Sequence, residues 1–188
     1  MDIFCEQNQP DYVQNECGSE LGGVIALGLI KPSYTIAATD SLIASTLALA
    51  SFWTTALAAS PQYAWVVRDV RGEVPAGSPT EEEGFGLTPT ERTGDDRELT
   101  FDTLGVMDNR NFWSIANKKR NWQLVYVTAG RNSSGAYDAF YVSDVSLYVS
   151  DVVPRSIKSR KMWTGSAKWS TSMTPALPFS APASIFTT

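Results

Sequence analysis

The stretch Trp122-Gln-Leu-Val-Tyr-Val-Thr128 carries the clearest structural signal in this chain. Its first, third and fifth residues are large and apolar, and they share one face of an extended chain. Val125 and Val127 fall on the other face. Because successive side chains of a strand point to opposite faces, this alternation predicts a β-strand.

Segments before and after this stretch also have the sequence pattern of β-strands. Trp163, Gly165, Ala167 and Trp169 recur at period two, with polar residues between them. Besides 122–128, five strands are predicted: 21–30, 63–71, 98–104, 139–149 and 158–170. The chain shows neither an alternation of strands with helices nor a repeat of fixed period. It is therefore predicted to be mainly β with one or two helices, as an antiparallel β-sandwich or barrel.

The main predicted helix runs from Leu42 to Ala59. Its apolar residues recur mostly at spacings of three and four, which is the period of an α-helix. The cluster Thr39-Asp40-Ser41 precedes it and supplies N-cap residues. Ser60-Pro61 follows and ends it. Its many Ser and Thr residues favour a helix packed on protein, so no membrane partner is expected.

The 188 residues fit one domain, 1–188, with two special segments. Residues 72–97 are rich in Pro, Gly and acidic side chains, and they are predicted to form a long acidic interface loop. Residues 171–188 contain three prolines and nearly end in the apolar pair Ile185-Phe186. They are predicted to form an extended C-terminal arm whose apolar residues need a surface to pack against.

Charge is divided between the two halves of the chain. Residues 1–109 hold 17 acidic and 5 basic side chains, a net charge of −12. Residues 110–188 hold 10 basic and 3 acidic ones, a net charge of +7. Such a division suits a subunit that meets copies of itself, acidic face to basic face. The pI near 4.7 argues against nucleic-acid binding as the main role.

The sequence offers little catalytic chemistry. It contains no histidine, so the common triads and His-ligated metals are excluded. It has no phosphate-binding or dinucleotide-binding motif. Cys5 and Cys17 are too few ligands for a zinc site, and whether they pair is left open. No enzyme activity, cofactor or metal site is therefore predicted.

The C-terminal half resembles a known family. The resemblance spans about residues 98–186 and rests on the order of five segments. These are the helix Asn111-Phe-Trp-Ser-Ile-Ala116, the strand 122–128, a long strand that ends near Pro154, the strand Met162-Trp-Thr-Gly-Ser-Ala-Lys-Trp169 and the segment Pro178-Phe-Ser-Ala-Pro182. In this order the chain resembles the tail tube proteins, or major tail proteins, of long-tailed bacteriophages.

The resemblance implies a structural virion protein, assembled in the host cytoplasm. Subunits of this family form hexameric rings from a β-sandwich whose sheet continues into an inner barrel. The rings stack through a long loop and the chain ends. Partners would be copies of the chain and other virion proteins, with DNA only as transient, non-specific cargo. An acidic protein that repels DNA suits such a conduit.

The divided charge and the C-terminal arm 171–188 together predict a subunit interface. Its predicted members are the acidic loop residues, the basic residues before the last long strand and the apolar residues of the arm. They are Glu81, Glu82, Glu83, Asp95, Asp96, Arg155, Lys158, Arg160, Lys161, Phe179, Ile185 and Phe186.

Two alternative functions remain open at this point. The chain could be another virion protein, such as an auxiliary capsid, neck or tail-completion protein, which binds one defined partner. It could also be a carbohydrate-binding module in which tryptophans form a stacking platform. The candidate side chains are Trp113, Trp122, Trp163 and Trp169.

Overall fold

The computed structural model describes residues 23–73, 78–82, 91–104, 109–118, 121–131, 135–152, 162–170 and 176–186. The fold is mainly β: a six-stranded antiparallel barrel with extra strands and four short helices in these residues. The strands are β1 Val24–Ile30, β2 Ala64–Val67, β3 Val70–Glu73, β4 Ser78–Glu82, β5 Glu91–Thr103, β6 Asn121–Arg131, β7 Tyr137–Val152, β8 Met162–Ser170 and β9 Leu177–Ala181. The helices are α1 Asp40–Leu47, α2 Ala50–Ala58, α3 Arg110–Ala116 and α4 Ala183–Phe186.

The barrel closes through its first strand. The order of neighbouring strands is β1-β3-β5-β8-β7-β6, and β6 pairs with β1 from Val24 to Ile30. All of these pairs are antiparallel. Closure matters because it pairs the backbone groups that an open sheet would leave at its edges.

The strands β1 and β7 each pair with two different strands along one edge. Along one edge of β1, Val24 pairs with β3, whereas Leu27–Ile30 pair with β2. The chain passes from β2 to β3 at Asp69, whose φ of 56° lies in the left-handed region that Asp tolerates better than most residues. Similarly, one edge of β7 carries β9 and then β8. β2 and β9 therefore add one strand at each of the two edges of the β1-β6-β7 part of the barrel.

The barrel interior confirms the predicted faces of two strands. Trp122, Leu124 and Tyr126 of β6 lie in the interior cluster. On β8, Trp163, Gly165, Ala167 and Trp169 are buried, and the residues between them are half-buried or exposed. Burying one large apolar side chain stabilises a fold by about 1.5–3 kcal/mol, so this alternation is strong enough to fix the register.

A second apolar cluster lies on the outside of the barrel. Val125 and Val127 of β6 belong to it, as the alternation predicts. The helices α1, α2 and α4 cover this side through Leu47, Trp53 and Phe186, which are all fully buried or nearly so. β6 is therefore packed on both of its faces.

Two glycines make room for aromatic rings in these clusters. A Cβ built on Gly28 would lie 2.6 Å from Cη2 of Trp53. A Cβ on Gly165 would overlap the ring of Phe101, its direct partner across β5 and β8. Each glycine thus lets an aromatic ring approach the sheet closely at a position where a larger side chain would push it away.

The prediction of one continuous helix over residues 42–59 is wrong. Two helices form instead, α1 and α2, bent by 78° at Ala48 and Leu49. The bend is stabilised by Trp53, whose indole Nε1–H donates to the carbonyl of Leu47 at 2.9 Å. That bond satisfies a carbonyl at the end of α1 that a helix end leaves unpaired. It also brings Leu47 and Trp53 into the same cluster.

Thr39 occupies the N-cap position of α1, as predicted, although its side chain makes no cap bond. In the described residues, each helix alone is too short or too polar to cross a membrane. The bent pair α1 and α2 together reaches the length and apolar composition of a span.

The predicted loop 72–97 contains strands, so the prediction of an irregular loop is corrected. β3 continues to Glu73, β4 occupies 78–82, and β5 begins at Glu91 rather than near Glu98. β4 and β5 form an antiparallel pair from Ser78 opposite Asp96 to Glu82 opposite Glu91. These strands are defined by backbone pairing, and their sequence lacks the alternating apolar residues that would predict a strand.

The helix α3 is fixed to the barrel by two side chains. The amide of Asn117 donates from Nδ2 to the carbonyl of Val149 at 2.6 Å and accepts the Val149 N–H at 2.9 Å. The indole of Trp122 donates to the carbonyl of Ala116 at 3.2 Å. These bonds satisfy the end of α3 and hold Trp113 inside the barrel, where it is 1% exposed.

Candidate assembly interface

In the described residues, the acidic hairpin β4–β5 extends past the ends of the neighbouring strands β8 and β3. There β5 pairs with β8 from Asp96 onward and with β3 from Thr100 onward. Within the described residues, the stretch 91–95 of β5 therefore pairs with β4 alone. A two-stranded ribbon is marginal in stability when it stands alone in water. Such a hairpin gains stability when another surface covers it.

Predicted acidic interface residues lie on this hairpin. The backbones of Glu81 and Glu82 are in β4, and those of Asp95 and Asp96 are in β5. The side chain of Asp96 is exposed at the point where β8 ends. The register therefore brings four of the predicted acidic residues together, which the sequence alone placed in an unstructured loop. Glu83 lies outside the described residues.

The predicted basic residues lie in the segment 153–161, which connects β7 to β8 in sequence. Val152, the last residue of β7, pairs with Met162, the first residue of β8. Asp96 pairs with Ser170 at the other end of β8. At about 3.3 Å per residue, the two ends of β8 lie about 26 Å apart. The acidic hairpin therefore lies near the Ser170 end of β8, and residues 153–161 precede the Met162 end of β8 in sequence.

Four predicted interface residues fall within 153–161, namely Arg155, Lys158, Arg160 and Lys161. They lie outside the described residues, and their part in an interface remains a prediction.

The apolar residues of the arm pack on their own chain. Leu177–Ala181 form β9, which pairs with β7 and leaves Phe179 half-buried. Ile185 and Phe186 are 6% and 2% exposed, and the ring of Phe186 lies edge-on to Trp53 with centroids 4.9 Å apart. The predicted extended arm is thus a strand and a short helix in the described residues. Little surface of Ile185 and Phe186 is left for a neighbouring subunit.

Arg68 holds the end of the arm in place. Its Nε and Nη2 donate to the carbonyl of Ile185 at 3.0 and 2.9 Å. Hydrogen bonds from a charged donor are stronger than those between neutral groups. No local sequence pattern indicates this contact, because 117 positions separate the two residues.

The outer face formed by β5, β8 and the second half of β7 is mostly polar in the described residues. Tyr148 is 64% exposed there, next to Ser166 across β7 and β8. Lys168 lies 3.2 Å from a carboxylate oxygen of Glu98, and both side chains are well exposed. An exposed pair of this kind contributes little to stability. This face therefore remains available to solvent or to another protein surface.

The four tryptophans of the carbohydrate reading do not form a platform. Trp113, Trp122, Trp163 and Trp169 are 1%, 2%, 5% and 5% exposed, and all four lie in the interior cluster. The stacking platform of that open alternative is therefore absent, and the four tryptophans are core residues, which is the simpler interpretation of their spacing on strands and a helix.

Burial perturbs two tyrosines of the fold. It raises the pKa of Tyr126 to about 12, although the nearby Arg97 opposes the shift. It also raises the pKa of Tyr141 to about 12, with the Asp40 carboxylate adding to the effect. The Tyr141 hydroxyl donates to Oε1 of Gln123 at 2.7 Å. Nε2 of Gln123 in turn donates to the carbonyls of Lys31 and Tyr34, which fixes the loop after β1.

Acidic and sulfur side chains do not gather into a metal-binding group anywhere in the described parts of the chain. Comparisons with family models, with curated protein sequences and with solved structures found no match to this chain.

Proposed function

We propose that this chain is a structural virion protein that assembles into stacked hexameric rings and forms a phage tail tube for the passage of DNA. The observation that carries the proposal is the position of the acidic hairpin. It lies near the Ser170 end of β8, and the basic residues of 153–161 precede the Met162 end in sequence. A subunit of this polarity can stack head to tail, because each acidic end meets a basic end.

The unequal charges of the two halves support the same proposal. Opposite charges at opposite ends attract one another between copies, and the repeated contact produces rings or open polymers. The net charge of −5 leaves the assembled particle acidic, which opposes adhesion of DNA. The mostly polar outer face formed by β5, β8 and the second half of β7 is a further surface that assembly could use.

Negative-stain electron microscopy of the purified protein, across a series of salt and protein concentrations, tests the proposal. Stacked rings or tubes with a central channel are the expected result. Because the attraction between exposed charges is screened above a Debye length of about 10 Å at 0.1 M salt, high salt should shorten the tubes. Monodisperse monomer under every condition would refute the proposal.

A single closed ring that never stacks would favour the other virion role, in which an auxiliary capsid, neck or tail-completion protein binds one partner. The closed barrel and the long hairpin also suit that role. The two roles differ because only a tail tube protein needs a contact that stacks one ring on the next. The micrographs separate them directly.

A further inference from the structure

The outward side of α1 and α2, the α1–α2 surface, is almost free of charge. Residues 32–67 contain both helices and hold one charged side chain, Asp40 at the start of α1, whereas 19% of the whole chain is charged. Two leucines on this surface, Leu42 and Leu49, are 53% and 56% exposed. Exposed apolar side chains with few charges around them are typical of the core of a protein–protein interface.

Hydroxyl groups on the α1–α2 surface are already bonded to the helices themselves. The hydroxyl of Ser45 donates to the carbonyl of Leu42 at 3.1 Å. The hydroxyl of Thr54 lies 3.2 and 3.1 Å from the carbonyls of Ala50 and Ser51. Burying a polar group costs free energy mainly when the group loses its hydrogen bonds. Another protein surface can therefore cover these hydroxyls at little cost.

The outward side of β5, β8 and the second half of β7, the Tyr148 surface, has a similar character. Tyr148 is 64% exposed, and the outward residues around it are mainly Ser and Thr. Three charged side chains of this surface have partners within it. Lys168 lies 3.2 Å from Glu98, and Asp102 accepts a hydrogen bond from the hydroxyl of Thr164 at 2.6 Å. The Tyr148 surface thus offers one large exposed side chain on a sheet of short ones.

The two surfaces lie on opposite sides of the barrel. α2 covers β1 and β6, because Trp53 approaches Gly28 of β1 closely and shares a cluster with Val125 of β6. β1 and β6 are neighbours in the closed strand order, and β5 and β8 are the neighbouring pair farthest from them. A contact between two different surfaces on opposite sides of a subunit repeats from copy to copy, and it makes a ring when the rotation closes.

We propose that the α1–α2 surface of one copy binds the Tyr148 surface of the next copy, and that this lateral contact forms the ring. The inference rests on the proposed function and adds to it, since the hairpin β4–β5 supplies the contact between stacked rings. Tyr148 is the anchor of the lateral contact, because tyrosine is frequent among the residues that dominate binding energy.

The charge of the α1–α2 surface favours a second copy over other occupants. Residues 32–67 contain no Lys or Arg, so the surface has no attraction for anionic lipids or nucleic acid. The lateral contact depends on few side chains, so we expect rings to persist only when the stacking contact forms as well.

Cross-linking between single-cysteine variants of the 188-residue chain tests the lateral contact. All variants carry Cys5→Ser and Cys17→Ser, and micrographs of the same samples report whether tubes form. Ser51→Cys places a thiol beside Leu49, and Ser146→Cys places one beside Tyr148, so both anchors are kept. A mixture of the two variants, treated with a short bismaleimide, should give a cross-linked dimer. Each variant alone should give little, because like surfaces do not meet.

Ser114→Cys is the matched control, since Ser114 is an exposed serine on α3, outside both surfaces. It should not cross-link to Ser51→Cys. Adding Tyr148→Ala to Ser146→Cys should lower the yield of the dimer about tenfold, because the anchor is lost.

The proposal is overturned if tubes form while Ser51→Cys cross-links no better to Ser146→Cys than to Ser114→Cys, and the proposed function then stands. It is also overturned if Ser51→Cys alone gives the dimer, since that result means that two α1–α2 surfaces meet. Absence of rings and tubes from the micrographs of every sample would refute the proposed function, and the lateral contact with it.

Discussion

The barrel and the hairpin β4–β5 are held together by different forces. In the barrel, β6 and β8 carry aromatic and aliphatic side chains that are almost fully buried. In the hairpin, β4 and the first part of β5 are acidic, contain Pro79 and Gly94, and pair through their backbones with a register shift after Thr80. Apolar burial therefore stabilises the barrel, whereas the hairpin is defined by backbone pairing and by its acidic sequence. This is why we propose the hairpin, and not the barrel interior, as the surface for assembly.

The largest effect is expected from removing an interior side chain of the barrel. Trp122→Ala should lower the free energy of unfolding by about 3–5 kcal/mol, because it opens a cavity and unpairs the carbonyl of Ala116. Urea unfolding followed by circular dichroism measures the change. Tyr148→Ala is the control on the exposed face, where surface substitutions stay within about 0.5 kcal/mol. Equal losses in the two variants would contradict the assignment of the interior.

A smaller loss is expected where a glycine accommodates a ring. Gly165→Ala should lower the free energy of unfolding by about 1–3 kcal/mol, since its methyl group overlaps the ring of Phe101. Gly23→Ala is the matched control, because a Cβ at Gly23 meets nothing within 4 Å. Thermal unfolding of both variants measures the difference. A neutral Gly165→Ala would show that the ring moves aside freely.

High pH should weaken the barrel through its buried tyrosines. The pKa values of Tyr126 and Tyr141 are raised to about 12, against about 10 in the unfolded chain. Below pH 10 both states are protonated, so stability is unaffected. Between about pH 10 and pH 12 only the unfolded chain loses these protons, and stability falls by at most about 1.4 kcal/mol per pH unit for each tyrosine.

Denaturant titrations at pH 9, 10 and 11 measure this fall. Y141F should reduce the pH slope, although it also loses the hydrogen bond to Gln123. The exposed Tyr148 supplies the control, and Y148F should leave the slope unchanged. A flat profile up to pH 11 in the unaltered protein would contradict the burial of the two hydroxyls.

The sequence predicts the barrel better than the rest of the fold. The period-two alternation in β6 and β8 identifies both strands and their faces, because burial imposes that period on the sequence. The bend between α1 and α2 has no such signal, since neither Pro nor Gly marks it. It arises from the bond of Trp53 to Leu47, which is a tertiary contact. Local patterns cannot report contacts of this kind.

The candidate sites show the same division. The acidic residues of the hairpin are identifiable from composition, but their pairing in β4 and β5 is not, because backbone bonds leave no mark in the side-chain pattern. Leu49 and Tyr148 lie on opposite sides of the barrel, which only the closed strand order shows. The arm residues Ile185 and Phe186 are visibly apolar in sequence, yet only the fold shows that they pack on the same chain.

The smallest effect on stability, and the most direct test of the account, comes from reversing the hairpin charges. Glu81, Glu82 and Glu83 are changed together to Lys, and assembly is measured by sedimentation velocity alongside thermal unfolding. The control changes Asp40, Glu73 and Asp144 to Lys, which alters the net charge equally at exposed positions on other elements. We expect the hairpin variant to stay monomeric with an unchanged melting temperature, and the control to assemble. Normal assembly of the hairpin variant, or loss of its fold, would contradict the claim that the hairpin serves assembly rather than folding.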